Sequence, residues 1–298
     1  MACFLVTSVS LPVRSPAMAE RTITVDGAGG PVALSILEAG EGGRPLLLVH
    51  GFTGAKEDFA DHLDRLAELG WHVVLPDLRG HGASAKPEAV EAYSFDAFAT
   101  DLLGLMDALG WAGAVVLGHS MGGMVAQVLT LRAPERVEAL ILMDTSHQPL
   151  RIAEEAMIEA AGALAISSGM DAVRLAQGAG PLDNPIHQRL VETRPGYAEF
   201  GDRKLLAASP HMYAAMLRSI AGFGGEPDAD RLGDLPSIGV PTLVIVGEAD
   251  APFRKASARM AEAIPGAELA VLPGGAHSPQ FEAPDAWWTA LSGFLARV

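Results

Sequence analysis

Short, continuously apolar runs alternate along most of the chain with longer segments whose apolar residues fall on one helical face. A run without polar alternation predicts a strand that is buried on both faces of a sheet. An apolar spacing of three and four residues predicts an amphipathic helix. Together these patterns predict an α/β protein with a mostly parallel sheet, with strands at residues 46–49, 73–75, 114–117, 139–142, 243–246 and 269–272 and helices within residues 59–69, 95–109 and 283–298.

The alternation stops between residues 146 and 236, where no strand-like run occurs and where glycine and proline interrupt the chain. A stretch of about 90 residues is too long for a single connection in a compact domain, so we expect a helical insertion at residues 146–236. Strands resume after it. The predicted core therefore consists of residues 20–145 and 237–298.

Residues 1–19 are assigned to an N-terminal extension outside the fold. They contain an apolar stretch and an Ala-Met-Ala sequence at residues 17–19 that resembles a signal-peptidase site. No Lys or Arg precedes the apolar stretch, and Pro12 and Arg14 interrupt it. We therefore expect a cytoplasmic protein. A signal peptide, which would make the protein secreted or periplasmic, is the alternative.

Charge and cysteine content exclude several classes of function. The 298 residues include 21 Lys and Arg against 36 Asp and Glu, a formal net charge of −15. Such a surface repels nucleic-acid phosphates and anionic lipids, and no apolar run is long enough to predict a transmembrane helix. The single cysteine, Cys3, has no second cysteine for a disulfide or a zinc site. We expect a small-molecule substrate, and neither nucleic acid nor membrane as a partner.

The clearest chemical motif is Gly-His-Ser-Met-Gly at residues 118–122, between the predicted strand 114–117 and a helical pattern at residues 124–131. A G-x-S-x-G nucleophile turn requires this strand–turn–helix setting. The sharp turn strains the serine backbone, so neighbours on its crowded side must lack a Cβ, as Gly118 and Gly122 do. The motif therefore predicts Ser120 as a nucleophile at the start of a helix, where the helix dipole favours negative charge.

Five motifs in order make the chain resemble one enzyme family. They are His-Gly-Phe at residues 50–52, Asp-Leu-Arg-Gly-His-Gly at 77–82, Gly-His-Ser-Met-Gly-Gly at 118–123, Gly-Glu-Ala-Asp at 247–250 and Gly-Ala-His at 275–277. Over residues 22–298 the chain looks like an α/β-hydrolase of the serine-nucleophile branch, which includes carboxylesterases, enol-lactonases and carbon–carbon hydrolases. The resemblance implies an eight-stranded, mostly parallel sheet flanked by helices, with residues 146–236 as an inserted helical lid.

The family order of nucleophile, acid and base implies that His277 is the general base and that Asp250 is the acid that orients it. Asp144, after the sixth strand, is the alternative acid, because some relatives place the acid there. The resemblance also implies an oxyanion hole made by the backbone N–H groups of Phe52 and Met121. It implies no cofactor and no metal.

The serine nucleophile directs the functional prediction. Haloalkane dehalogenases and epoxide hydrolases of this fold use an aspartate, so we expect a serine hydrolase that cleaves a small to medium, mostly apolar carboxylic ester or lactone through an acyl-enzyme. A carbon–carbon hydrolase of the meta-cleavage type is the runner-up, although Ser278 stands where those enzymes often carry Trp. A non-catalytic small-molecule receptor on the same fold is the alternative from another class, and a homodimer is an open expectation.

The insertion offers further predictions. Taken together, its methionine and aromatic side chains are expected to supply an apolar, adaptable ceiling above Ser120, whereas for any single one of them packing within the lid is the favoured alternative: Met157, Met170, Phe200, Met212, Tyr213, Met216 and Phe223. His147, just after the sixth strand, is expected to face either this pocket or solvent. The acidic net charge favours neutral substrates unless the insertion carries a basic patch, for which the candidates are Arg189, Arg194, Arg203, Lys204 and Arg218.

Overall fold

An eight-stranded sheet forms the centre of the computed structural model, which describes residues 18–151, 153–177, 185–224 and 230–298. The strands are β1 (Ala19–Gly27), β2 (Gly30–Ala39), β3 (Arg44–Val49), β4 (Trp71–Pro76), β5 (Ala114–His119), β6 (Val137–Met143), β7 (Thr242–Gly247) and β8 (Glu268–Leu272). Their order across the sheet is β1-β2-β4-β3-β5-β6-β7-β8. The β1–β2 and β2–β4 pairs are antiparallel and the others are parallel, which confirms the predicted sheet.

Helices cover both faces of the sheet. Within the described residues they are α1 (Leu63–Glu68), α2 (Phe95–Ala108), α3 (Met121–Arg132), α4 (Glu155–Gln177), α5 (Pro185–Thr193), α6 (Tyr197–Leu206), α7 (Pro210–Ala221), α8 (Ala251–Ala263), α9 (Pro279–Glu282) and α10 (Pro284–Leu295). On β3, Leu47 and Val49 belong to the apolar cluster that includes α2 and α3. Leu46 and Leu48 belong to the cluster that includes α1 and α10. Successive side chains of a strand point to opposite faces, so this interior strand is buried on both sides.

The strand prediction is wrong in one respect, at the last strand. The apolar run at residues 269–272 predicts burial on both faces, but Leu269 and Val271 of β8 are 43% and 40% exposed. β8 is the edge strand beside β7 and is covered less completely than the interior strands. The sequence analysis also does not assign β2, whose apolar residues are interrupted by Pro31 and Ser35 and which forms a hairpin with β1.

Four helices, α4 to α7, connect β6 to β7 in the described part of the predicted insertion. By length and composition alone, the 23-residue helix α4 could cross a membrane. Its helical backbone is broken at Gly169, where φ is 80° and ψ is 175°. One face of α4 packs along α7 and buries Ile158, Ala165 and Met170. We therefore describe α4 as a packed helix of the insertion.

The domain boundaries taken from the sequence stay predictions. Residues 1–17 of the expected extension lie outside the described part of the chain, and Ala19 already belongs to β1. Within the expected insertion, residues 152, 178–184 and 225–229 also lie outside it. β6 ends at Met143 and β7 begins at Thr242, so the helices between them lie within one connection of the sheet.

The turn between β5 and α3 fixes where the fold presents Ser120. Ser120 has φ 52° and ψ −117°, a conformation that residues with a side chain rarely adopt. A Cβ on Gly118 would overlap the carbonyl group of Gly122. A Cβ on Gly122 would come within 2.5 Å of the carbonyl oxygens of Val49 and His50. Because these neighbours are backbone atoms, the two glycines are what allows β5 to turn directly into α3.

The substitution Gly122→Ala is expected to lower the free energy of unfolding by about 1–3 kcal/mol, because the added methyl group overlaps backbone carbonyls. Urea denaturation followed by circular dichroism measures this change. Gly239→Ala is the control, since Gly239 is exposed and no heavy atom lies within 4 Å of where its Cβ would be. The control should alter the free energy by less than about 1 kcal/mol. Equal stability of Gly122→Ala and the wild type would contradict the close approach.

Candidate active site

Ser120 lies between the carboxyl end of β5 and the start of α3, and it lines a cavity. Its backbone N–H donates to the carbonyl oxygen of Met143 at 2.9 Å. Its carbonyl oxygen accepts a hydrogen bond from Thr145 Oγ1 at 2.6 Å. These bonds fix the strained residue to the end of the neighbouring strand β6. The positive end of the α3 dipole favours negative charge close to the serine oxygen.

A continuous chain of hydrogen bonds joins Ser120 to two other residues predicted from the sequence. His277 Nε2 is 3.1 Å from Ser120 Oγ, and His277 Nδ1 is 2.8 Å from Asp250 Oδ2. Asp250 follows β7 with a side chain only 5% exposed, whereas the His277 side chain, after β8, is 42% exposed. When Nδ1–H donates to Asp250, Nε2 is free to accept the serine proton, as a general base requires.

Two neighbours hold the imidazole of His277. Phe253 stacks on it, with ring centroids 4.6 Å apart and planes inclined by 27°, and the His119 ring is 5.1 Å away. Burial, together with the nearby His277, lowers the pKa of His119 to about 3. The neutral His119 donates from Nε2–H to the carbonyl oxygen of His277 at 2.7 Å. Nothing in the sequence around His119 indicates this contact, because its partner lies 158 positions away.

Asp144, the alternative acid, lies beside Asp250 and is fully buried. It follows β6 with a φ of 43°, and its Oδ1 accepts the N–H of Gly247 at 2.8 Å. Carboxyl oxygens of Asp144 and Asp250 and a ring nitrogen of His277 lie within 4.8 Å of one another. Burial, reinforced by Asp250, raises the pKa of Asp144 well above the usual carboxyl range. His277 Nδ1–H donates to Asp250 and not to Asp144, so the geometry favours Asp250 as the acid, with Asp144 behind it.

The two residues predicted for the oxyanion hole lie on either side of Ser120. Met121 is the first residue of α3, and Phe52 lies in the loop after β3 and lines the cavity. A Cβ on Gly51 would be 3.1 Å from the Cβ of Ser120, so this loop passes directly beside the serine. Thr53 in the same loop has a φ of 54°, a strained conformation that packed surroundings must maintain. Both predicted donors therefore belong to segments that meet at Ser120.

A cavity of about 800 Å³ lies above Ser120, between the core and the α4–α7 insertion. Its walls combine aromatic with polar side chains, among them Phe52, Asp58, Arg174, Gln177, Tyr197, Phe200, Lys204, Tyr213 and Phe281. The rings of Phe52 and Tyr213 stack with centroids 5.2 Å apart, which joins the loop after β3 to α7.

The predicted apolar ceiling is wrong for most of its members. Phe200 and Tyr213 line the cavity. The other five do not line it. Met170, Met212 and Met216 are buried in the core cluster, Phe223 packs against that cluster, and Met157 is 64% exposed. The spacing and type of apolar residues in a helix are the same whether the side chains face a core, a cavity or solvent. The sequence therefore could not show which of these residues line the cavity.

The insertion's cations do not assemble into the basic patch considered from the sequence. Lys204, which lines the cavity, forms an ion pair with Asp58, and Arg194 forms one with Asp61 at 2.6 Å. Both acids belong to the 3-10 segment Lys56–His62 of the core, so these pairs connect the insertion to the core. The remaining candidates are not among the residues that line this cavity: Arg189, Arg203 and Arg218.

The prediction for His147 is also wrong, because it faces neither the pocket nor solvent. Its side chain is fully buried, and Nδ1 lies 2.8 Å from Asp230 Oδ1. Its carbonyl oxygen accepts the N–H of Arg231 at 2.9 Å. His147 therefore fixes the start of the insertion to the segment before β7.

The fold, with a serine, a histidine and an aspartate joined at the carboxyl ends of its parallel strands, defines an α/β-hydrolase. A family model described as alpha/beta hydrolase fold matches residues 44–284, and the chain belongs to this family. A catalytic triad is general in that family. The resemblance drawn from the five sequence motifs is confirmed.

Individual relatives are similar to this chain over different lengths. It is 37% identical to epoxide hydrolase A of Mycobacterium tuberculosis over 131 residues, a match that spans 44% of this chain and 39% of the relative. It is 28% identical to 3-oxoadipate enol-lactonase 2 of Acinetobacter baylyi over 267 residues, or 89% of this chain and 94% of the relative. The solved structure of a thermophilic esterase from Thermogutta terrifontis matches with a TM-score of 0.78 and 28% identity, covering 94% of this chain and 98% of that chain.

Asparagine substitutions separate the two candidate acids. Asp250→Asn is expected to reduce kcat for ester hydrolysis by about 10⁴-fold, because the amide cannot stabilise the imidazolium or hold the correct tautomer of His277. Asp144→Asn should reduce kcat by less than about tenfold, since the amide keeps an oxygen that can accept the N–H of Gly247 and Asp144 makes no bond to His277. Steady-state hydrolysis of p-nitrophenyl butyrate measures both. The reverse ranking would identify Asp144 as the acid.

Proposed function

We propose that the protein is a cofactor-independent serine hydrolase that cleaves a neutral, small to medium-sized carboxylic ester or lactone through an acyl-enzyme. The observation that carries this proposal is the hydrogen-bond chain from Ser120 through His277 to Asp250, with the serine open to a cavity. The esterase and the enol-lactonase among the similar proteins support a carbonyl carbon as the point of attack.

In the first half of the reaction, Ser120 Oγ attacks the substrate carbonyl carbon while His277 Nε2 takes the serine proton. Asp250 stabilises the imidazolium that forms, because its carboxylate accepts the Nδ1–H bond at 2.8 Å. The tetrahedral intermediate then collapses, and His277 gives its proton to the leaving alcohol oxygen. The acyl group remains on Ser120 as an ester.

In the second half, water attacks the acyl carbon, and His277 Nε2 accepts a proton from that water. Collapse releases the carboxylic acid, and the proton returns to Ser120 Oγ. We assign the oxyanion of both tetrahedral intermediates to the backbone N–H groups of Phe52 and Met121, whose segments meet at the serine. Preorganised backbone donors of this kind contribute about 10²–10³-fold to the rate of acyl transfer.

The nucleophile argues against epoxide hydrolysis, despite the similarity to an epoxide hydrolase over part of the chain. A serine oxygen that opened an epoxide would form an ether, which water and a histidine base do not cleave. An aspartate in the same place forms an ester, which water does cleave. With Ser120 at the turn, turnover therefore requires a substrate whose covalent intermediate is itself an ester.

The charges around the cavity support a neutral substrate. Lys204 is paired with Asp58, and Arg174 is paired with Asp202 at 3.4 Å, and all four line the cavity. A substrate carboxylate would have to displace one of these acids or remain without a cation in a partly desolvated site, which is unfavourable. The aromatic walls instead suit the apolar part of an acyl or alcohol group.

We assign helices α4 to α7 the role of a lid over Ser120. Phe200, Lys204 and Tyr213 of these helices form cavity walls opposite the core. The ion pairs Lys204–Asp58 and Arg194–Asp61 hold this part of the insertion against the core. Covering the site limits the access of water to the acyl group.

Ser120→Ala is expected to reduce hydrolysis of p-nitrophenyl acetate and butyrate by at least about 10⁴-fold and to abolish labelling by a fluorophosphonate, because the nucleophile is lost. The control is Ser167→Ala, an exposed serine of α4, which should behave as the wild type. Retained ester turnover in Ser120→Ala would contradict the mechanism. Absence of wild-type labelling would support a non-catalytic receptor instead.

The runner-up, a carbon–carbon hydrolase, is tested with the same purified protein. Decay of a coloured ring-cleavage dienoate is compared with hydrolysis of short esters and lactones at equal enzyme concentration. We expect kcat/KM for the best ester or lactone to exceed that for the dienoate. A higher kcat/KM for the dienoate would replace the ester proposal with carbon–carbon hydrolysis.

A pair of esters that differ in charge tests the preference for neutral substrates. Dimethyl adipate is expected to have a kcat/KM at least about tenfold higher than monomethyl adipate, because Lys204 and Arg174, the Lys and Arg side chains among the described residues of the cavity wall, are already paired with acids. Methyl hexanoate controls for chain length. A preference for the monoester would show that Lys204 or Arg174 exchanges its acidic partner for the substrate.

A further inference from the structure

The segment that carries His277 is held by a residue outside the serine–histidine–aspartate chain. Glu282 is the last residue of α9, five positions after His277. Its Oε2 accepts the N–H of Ala276 at 2.6 Å and the N–H of Ser278 at 3.0 Å. One carboxylate oxygen therefore binds the backbone on both sides of the histidine.

The two peptide groups that Glu282 binds are also held at their other ends. The peptide group between His277 and Ser278 donates its N–H to Glu282 and accepts at its carbonyl oxygen the bond from His119 Nε2, at 2.7 Å. The peptide group between Gly275 and Ala276 donates to Glu282 and accepts the N–H of Ala249 at 2.9 Å. One of these peptide groups adjoins His277 and the other precedes it by one residue, so the backbone that carries the imidazole is restrained on both sides.

Burying the Glu282 carboxylate is energetically unfavourable unless its oxygens accept hydrogen bonds such as these. Burial raises the pKa of the Glu282 carboxyl, and the two backbone N–H bonds act in the opposite direction. A partly buried carboxylate is stable only when its oxygens are hydrogen-bonded. Bonds to an ionised acceptor are about twice as strong as neutral ones, which suits a group that must hold a loop in one conformation.

We propose that Glu282 is a positioning residue for the reaction: it holds the backbone around His277 so that Nε2 stays within hydrogen-bond reach of Ser120. It is not among the residues that line the cavity above Ser120, so it acts through the histidine rather than on substrate. This inference rests on the proposed function, because it assigns Glu282 a part in the same reaction.

Removing the carboxylate tests the role. Glu282→Ala is expected to reduce kcat for p-nitrophenyl butyrate by about 10²-fold, because a displacement of about 1 Å in a catalytic group has this effect. KM should stay within about threefold of the wild type, since Glu282 itself does not line the cavity. A kcat within about twofold of the wild type, or a loss confined to KM, would overturn the proposal.

Two further variants distinguish the effect of side-chain length from that of side-chain charge at position 282. Their result does not depend on whether Glu282→Ala folds. Glu282→Gln keeps the length and an acceptor oxygen, whereas Glu282→Asp keeps the charge but is one methylene shorter. If Glu282 acts by position, Glu282→Gln has a kcat about tenfold above that of Glu282→Asp. The reverse order would overturn the proposal, because it would show that the side chain need not reach the N–H groups of Ala276 and Ser278 to support kcat.

Asp285→Ala is the matched control, since Asp285 is an exposed carboxylate three residues further along the chain. It should keep wild-type kcat, and an equal loss in this variant would overturn the proposal. Circular dichroism confirms that each compared variant is folded. If the wild type hydrolyses no ester or lactone, the proposed function fails, and Glu282 is judged by the rate of fluorophosphonate labelling of Ser120. Labelling in Glu282→Gln should exceed that in Glu282→Asp, and equal rates would overturn the proposal.

Discussion

The site depends on two hydrogen bonds, of 3.1 and 2.8 Å, that join three side chains carried by different strands. Ser120 follows β5, Asp250 follows β7 and His277 follows β8, and these strands are parallel members of one sheet. Their carboxyl ends meet at the same edge, so the sheet sets the separations that the chemistry needs. β6 lies between β5 and β7 and brings Asp144 to the same edge, which explains why a second carboxyl group lies beside Asp250.

The residues that the sequence located are those with a local signature. Ser120 lies in a turn whose glycines are required by backbone contacts within a few residues and with the adjacent strand. Asp250 and His277 each lie in a loop after a short apolar run that predicts a strand. The order of nucleophile, acid and base in the family then assigns a role to each of them. Six strands of the sheet were predictable from continuous apolar segments, whereas the number eight came from the family resemblance.

What the sequence could not supply are contacts between distant positions. His119 holds the His277 segment from 158 positions away. Glu282 lies only four and six positions from the N–H groups that it accepts, but nothing in its residue type or spacing indicates that its side chain turns back to them. The sequence shows which residues of the insertion are cationic, but not which acids pair with them. Lys204 and Asp58 are 146 positions apart in the sequence, and Arg194 and Asp61 are 133 positions apart. Apolar runs likewise do not reveal that β8 is an edge strand, because position in a sheet depends on the order of the other strands.

Backbone strain is concentrated around the serine. In the described part of the chain, the non-glycine residues with positive φ are Thr53, Ser120 and Asp144, which follow β3, β5 and β6, three strands that lie side by side. Each such conformation costs about 1–3 kcal/mol, which the packing of the surrounding sheet must offset. Selection for thermal stability alone would therefore favour relaxing the residues that shape this site. In directed evolution of this enzyme, stabilising changes that spare function should accumulate away from the carboxyl edge of the sheet.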